Sequence, residues 1–160
     1  MLCALPDAFL RRVAAADCDV AALPPLGSYG VGMFFLPTDG TRRAAAKAGF
    51  ETVARELGLP VLGWRRVPTN NSDLGASAQR TEPIIEQAFV DGSAAVVGED
   101  DDSLERRLYV LRKLAQHAVR EALDVEVGEE PDDYYACSLS SRTCVYKGQL
   151  TPAQASSPKL

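Results

Sequence analysis

The stretch Tyr134-Tyr135-Ala136-Cys137-Ser138-Leu139-Ser140-Ser141-Arg142-Thr143-Cys144-Val145-Tyr146-Lys147-Gly148 carries the most structural information in this sequence. Two runs rich in β-branched and aromatic residues flank the polar break Ser140-Ser141-Arg142, a pattern that predicts a β-hairpin. Cys137 and Cys144 flank that break and can face one another across it. In a reducing compartment the expectation is two buried thiols, with a disulfide across the break as the alternative. Beyond the hairpin, Thr151 and Pro152 supply a cap and a first-turn proline for a helix that the sequence, ending at Leu160, does not complete.

Working outward, the 160 residues suffice for one domain with a real core and are too few for two ordinary ones. A chain 46% hydrophobic and 24% charged is expected to be a globular domain rather than a disordered or fibrous one. The net charge of −5 leaves no basic stripe to displace counterions, which argues against a nucleic-acid partner. The arginine pairs (Arg11-Arg12, Arg42-Arg43, Arg65-Arg66 and Arg106-Arg107) fall in separate elements and read as solvated faces. No apolar run approaches membrane-spanning length. The first residues lack a basic n-region, and Pro6-Asp7 interrupts their apolar run, so no secretory signal is read there.

The order of elements follows from periodicity and punctuation. Pro6 to Ala16 predicts a short helix with Phe9, Leu10 and Val13 facing inward. Tyr29 to Leu36 reads as a strand closed by Pro37, with Gly30 and Gly32 admitting the close approach of another backbone. Thr38 to Thr41 offers caps for a helix from about Arg42 to Leu57, with Ala46, Phe50, Val53 and Leu57 at helical spacing and Gly58 as terminator. A strand over Val61–Val67 follows, so this strand–helix–strand order places a helix on a sheet. Leu74 to Arg80 fits a helical turn, and Pro83 to Val90 a further strand. Asp102 or Ser103 caps the clearest helix, whose stripe is Leu104, Leu108, Leu111, Ala115, Ala118 and Ala122.

Candidate chemistry is sparse. Gly27, Gly30 and Gly32 lie in or beside an apolar strand, without the Lys-Ser/Thr of a phosphate loop. Glu86 has no partner acid, base or nucleophile in view and reads as a sheet-face charge. The acidic run Glu99–Asp102 lacks the alternation and glycine of a calcium loop. His117, the only histidine, sits one position off its helix stripe and reads as a surface or boundary residue. The four cysteines Cys3, Cys18, Cys137 and Cys144 show no CxxC spacing. Asn70-Asn71-Ser72 matches a glycosylation triplet, which without a secretory signal is accidental.

Ser138-Leu139-Ser140-Ser141-Arg142-Thr143, followed by Val145-Tyr146-Lys147-Gly148 and Leu150-Thr151-Pro152, resembles a segment of the glutamate synthase large chain. The segment lies in the N-terminal type-2 glutamine amidotransferase domain of that family. Further blocks agree in order: Tyr29–Pro37, Val61–Arg65 with Val67-Pro68, Glu82–Gln87, and Arg107–Val110 with Arg112-Lys113. Leu5-Pro6-Asp7-Ala8-Phe9-Leu10 is similar to the helix after the family's glycine-rich segment. The resemblance runs to about Gln154. It implies an α+β fold, part of an N-terminal-nucleophile hydrolase αββα sandwich with mainly antiparallel sheets. It also implies glutamine hydrolysis by the thiol of an N-terminal cysteine whose own amine is the base. The ammonia would aminate 2-oxoglutarate elsewhere in the parent, with FMN and a 3Fe-4S iron–sulfur cluster in other domains.

Departures from the family shape the expectation. The family's opening Cys-Gly-Val/Ile-Gly-Phe run, its substrate-holding His-Ser-Arg-Phe-Ser-Thr and its oxyanion-hole His-Asn-Gly-Glu have no counterpart here. Loss of the oxyanion donor alone costs roughly a hundredfold or more in rate. Cys3, in Leu2-Cys3-Ala4, lacks the surrounding glycines and would need trimming to become terminal. The expectation is therefore a partial amidotransferase domain over residues 1–154 with a divergent tail over 155–160, inactive alone. No catalytic, substrate-binding or metal residue is assigned, and no cofactor is expected in this chain. Its expected partners are the remainder of a glutamate synthase polypeptide and glutamine as the parent's substrate, in cytoplasm or plastid, not secreted. The alternative is a stand-alone, non-catalytic binding module on the same scaffold.

Overall fold

A computed structural model describes residues 1–18, 20–72, 74–95, 102–124 and 134–147. A short strand β1 (Leu2–Ala4) leads into α1 (Asp7–Asp17), and β2 (Tyr29–Leu36) follows. Helix α2 (Gly40–Glu56) connects to β3 (Val61–Arg66), and the short α3 (Ala76–Arg80) to β4 (Ile84–Asp91). The long α4 (Ser103–Ala122) precedes β5 (Tyr135–Ser140) and β6 (Thr143–Val145). The elements predicted between Pro6 and Tyr146 are present, with ends displaced by at most three residues, and the helix expected from Thr151 lies outside the described residues.

Strands β3, β4, β2 and β5, in that order, form an antiparallel four-stranded sheet. Since β4 opposes both β2 and β3, those two run parallel, and so do β4 and β5. Parallel strands need a crossover. Helix α2 supplies the first and α4 the second, and both land on one face of the sheet. They pack closely there because Gly49 presents no side chain to Ala118 and Val119. Asp39 caps α2 by accepting from the Arg42 amide at 2.8 Å. At its other end Gly58 takes φ +70°, the left-handed conformation that ends a helix at low cost in glycine.

The core lies in two layers, one on each face of this sheet. On the helix side Phe34, Phe50, Leu104, Leu108, Leu111 and Val119 are buried. Phe34 meets Phe50 edge-on at 4.9 Å and Trp64 at 5.1 Å between ring centroids. The opposite face carries Leu10 and Val13 of α1, Val31 and Met33 of β2, Phe89 of β4, and Cys137 and Cys144. Asp7 fixes α1 there, accepting from Arg11 at 3.0 Å and from the Tyr29 hydroxyl at 2.8 Å.

Three expectations are corrected. The break at Ser140–Arg142 does not close a two-stranded hairpin: β5 pairs with β2, whereas β6 pairs with β1 in a separate two-stranded sheet. The break is a corner at which the chain passes between sheets. Local patterning reports strand, turn, strand, but not which strand lies alongside. Gly30 and Gly32 make room for side chains rather than backbone; a methyl group on them would strike Leu108 and the Phe34 ring respectively. On α4 the buried stripe leaves Ala118 and Ala122 for Val119 and Leu123. From Leu111 onward the buried positions advance in steps of four, through Ala115 and Val119 to Leu123. The acidic residues 99–101 and 128–133, and the tail 155–160, lie outside the described residues.

Candidate functional site

Strand alternation sends Glu86 and Gln87 to opposite faces, and this divides the polar chemistry of the domain. Glu86 faces the helices, where Lys47 of α2 donates to it at 2.8 Å and lies over the Trp64 ring at 4.8 Å. The sheet-face charge read from sequence is thus half of a part-buried ion pair, with a partner 39 residues away. Gln87, 0% exposed, faces the seam between the two sheets. Its Oε1 accepts from Arg65 at 3.0 Å, and Arg65 also donates to Asp17 at 2.8 Å and stacks on Phe9 at 5.5 Å. Gln87 Nε2 forms no hydrogen bond, although the Cys144 thiol and the Tyr146 hydroxyl lie near it.

Three of the four cysteines gather at this seam. Cys3 and Cys144 are register partners across β1 and β6, and the Cys3 thiol donates to the Cys144 carbonyl at 3.5 Å. Cys137 on β5 donates instead to the Val145 carbonyl at 3.6 Å. Burial pushes the Cys144 thiol up to about 11, and the nearby Cys3 adds to the rise. Burial also raises Cys137. Thiols held in the neutral form are poor nucleophiles near neutral pH. Cys3 is an internal strand residue, so its nitrogen is a peptide amide and not a free amine that could act as base. The seam as described offers packing and hydrogen bonding.

The β5–β6 corner is anchored by a residue that the sequence did not single out. Glu105, in the first turn of α4, accepts from the Ser140 hydroxyl at 3.0 Å, from the Ser141 hydroxyl at 2.7 Å and from the Ser141 amide. Arg142 pairs with Asp102 at 2.7 Å. Asp102-x-x-Glu105 has the spacing of a capping box, and that was the available signal. Asp102, however, makes no side-chain cap. Both carboxylates turn to the corner, which fixes β6 against the start of α4. Lys147 donates to the Tyr135 hydroxyl at 2.7 Å and lies over its ring. Arg142 and Lys147 thus hold the scaffold.

Elsewhere, an open cleft of about 420 Å³ lies beyond the end of β2, walled by Phe35, Thr38, Arg80, Pro83, Tyr134 and Tyr135. Burial raises the Tyr134 phenol well above its ordinary range, which leaves it a neutral wall rather than a base. His117 is exposed on α4. Among the described residues no three of His, Cys, Asp and Glu converge as metal ligands, and no helix is long and apolar enough to cross a membrane.

A sheet covered on one face by two crossover helices, and on the other by a second sheet and α1, is the α+β arrangement of the N-terminal-nucleophile hydrolases. The chain belongs to the class-II glutamine amidotransferases, whose family model matches residues 1–157. Within that class its relatives are glutamate synthases. It is 39% identical to the glutamate synthase [NADPH] large chain of Bacillus subtilis over 96% of this chain and 9% of that protein. Identity is 48% with the chloroplastic ferredoxin-dependent glutamate synthase of Oryza sativa, covering 76% of this chain and 7% of that protein. With the glutamate synthase [NADH] of Schizosaccharomyces pombe it is 46%, over 82% of this chain and 6% of that protein. The chain thus spans less than a tenth of the length of these relatives.

Proposed function

We propose that this chain is a portion of the glutaminase domain of a glutamate synthase and supplies scaffold rather than chemistry to it. The observation that carries the reading is the similarity to glutamate synthases through 76–96% of the chain, in a family defined by glutamine amidotransfer. In the parent enzyme, glutamine would be hydrolysed by a terminal cysteine, and the ammonia would aminate 2-oxoglutarate in another domain. The described residues would build the sheet, the helix layer and the corner on which that cysteine and its oxyanion donors depend. The expected partners are the rest of such a polypeptide and glutamine, without nucleic acid or membrane, in cytoplasm or plastid.

FMN and the iron–sulfur cluster of the parent are assigned to other domains. An iron–sulfur cluster does not fit the described residues, whose seam thiols lie in strand hydrogen bonds and converge with no third ligand set.

The test is a glutaminase assay on the purified 160-residue chain, beside a version extended in frame through the flanking coding DNA. Ammonia release by the extended protein alone is the expected result. Ammonia release by the short chain, abolished by Cys3→Ala, would overturn the scaffold reading. Flanking DNA without an upstream Cys-Gly-Val-Gly-Phe run and a downstream His-Asn-Gly-Glu would replace it with a stand-alone binding module.

A further inference from the structure

We infer that Cys3 and Cys144 form a thiol-disulfide modification site, a cross-strand dithiol that closes into an intramolecular disulfide under mild oxidation. Both cysteines are free in this structure and are direct register partners in the antiparallel pair β1–β6. The flanking hydrogen bonds fix the kind of pairing. Met1 and Tyr146 exchange bonds at 2.6 and 2.8 Å, and the Leu5 amide donates to the Arg142 carbonyl at 2.8 Å. Hydrogen-bonded pairs recur every second residue, so Cys3 and Cys144 form such a pair. Their Cα atoms then lie roughly 5.5 Å apart, inside the roughly 4.4–6.8 Å that a disulfide spans. Residues directly opposite project from the same face of a sheet. Here that is the seam face, where Cys144 is buried and Cys3 packs beside it.

The rival thiol is less well placed. Cys137 belongs to β5, in the other sheet, and its sulfur is turned to the Val145 carbonyl. The half-buried Cys3 is the accessible member of the pair and Cys144 the enclosed one, which sets the order of events. The Cys3 thiolate attacks one sulfur of a small-molecule disulfide, forms a mixed disulfide and expels one thiol. Cys144 then loses its proton and attacks the Cys3 sulfur, expelling the second thiol. Two protein thiols are oxidised by two electrons, and the small disulfide is reduced to two thiols. The closed bond ties the first strand to the segment after the β5–β6 corner across almost the whole chain.

The experiment is incubation of the purified full chain, at low micromolar concentration, with oxidised glutathione. Free thiols are then counted under denaturing conditions and the peptides mapped by mass spectrometry. A fall from four free thiols to two is expected, with a Cys3–Cys144 peptide pair lighter by two hydrogens. Constraining so long a loop should also raise the melting temperature by on the order of 10 °C, reversibly with dithiothreitol. Cys137→Ser should leave the bridge intact, and Cys3→Ser should abolish it. Four remaining thiols, a glutathione adduct on Cys3 that never resolves, a bridge between chains, or a bridge containing Cys137 would each overturn the proposal.

Discussion

At Ser140 and Ser141 the chain leaves one sheet for another, and the bend frees donors that neither strand ladder satisfies. A single carboxylate gathers them: Glu105 accepts from both hydroxyls and from the Ser141 amide. Hydrogen bonds to a charged acceptor contribute more than neutral ones, and removing the acceptor strands its donors. Glu105→Ala is therefore expected to destabilise the domain by about 2–3 kcal/mol, read as a lowered midpoint in urea. Glu105→Gln, which keeps one acceptor oxygen, should lose less. Equal midpoints for Glu105→Ala and wild type would show that the corner is held by strand pairing alone. None of this was legible in the sequence, because Glu105 and Ser141 are 36 positions apart and a glutamate in a first helical turn is ordinarily read as a cap. The Glu86–Lys47 pair was missed for the same reason of long separation.

Elements were legible where local periodicity suffices and illegible where pairing decides. The strand over Tyr29–Leu36 and the helix after Asp39 follow from alternation, proline and capping, and they stand within a residue or two of expectation. The hairpin did not, because β5 and β6 each take their main partner from far along the chain. The same correction moved the partner of Cys144 from Cys137 to Cys3. Helix α4 shows a finer limit, since alanines at helical spacing do not tell which of two adjoining positions its last turns bury. Its last turns make this measurable. Val119 is buried against α2 and Ala122 is exposed. Val119→Ala should cost about 2 kcal/mol from lost burial and the cavity left behind, whereas Ala122→Ser should stay within about 0.5 kcal/mol. Comparable losses at both positions would mean that the stripe follows the alanines after all.

At the scale of the whole molecule, one sheet has both faces covered while its flanks and outer helix surface remain available. Among the described residues β3 and β5 are the outermost strands of the four-stranded sheet, and unpaired strand edges invite further strands. On α4 the side away from the sheet presents Tyr109, Val110 and Leu114, which are 59%, 43% and 46% exposed. Val110 and Leu114, four residues apart, adjoin on one helix surface, with Tyr109 at its margin. Clustered exposed apolar groups of this kind favour association. The isolated chain is therefore expected to self-associate, with light-scattering mass rising from about 17 kDa as concentration increases. Replacing Val110 and Leu114 with lysine removes apolar area without touching the core, so it should return the mass toward the monomer and leave the melting midpoint nearly unchanged. If the double variant associates as strongly as wild type, the strand edges rather than α4 carry the contact, and a proline placed in β3 becomes the variant that separates the copies. A wild-type chain that stays monomeric up to millimolar concentration would show that neither surface is adhesive. The edges would then have to be blunted by their own twist and charge, as the exposed Arg66 at the end of β3 would permit.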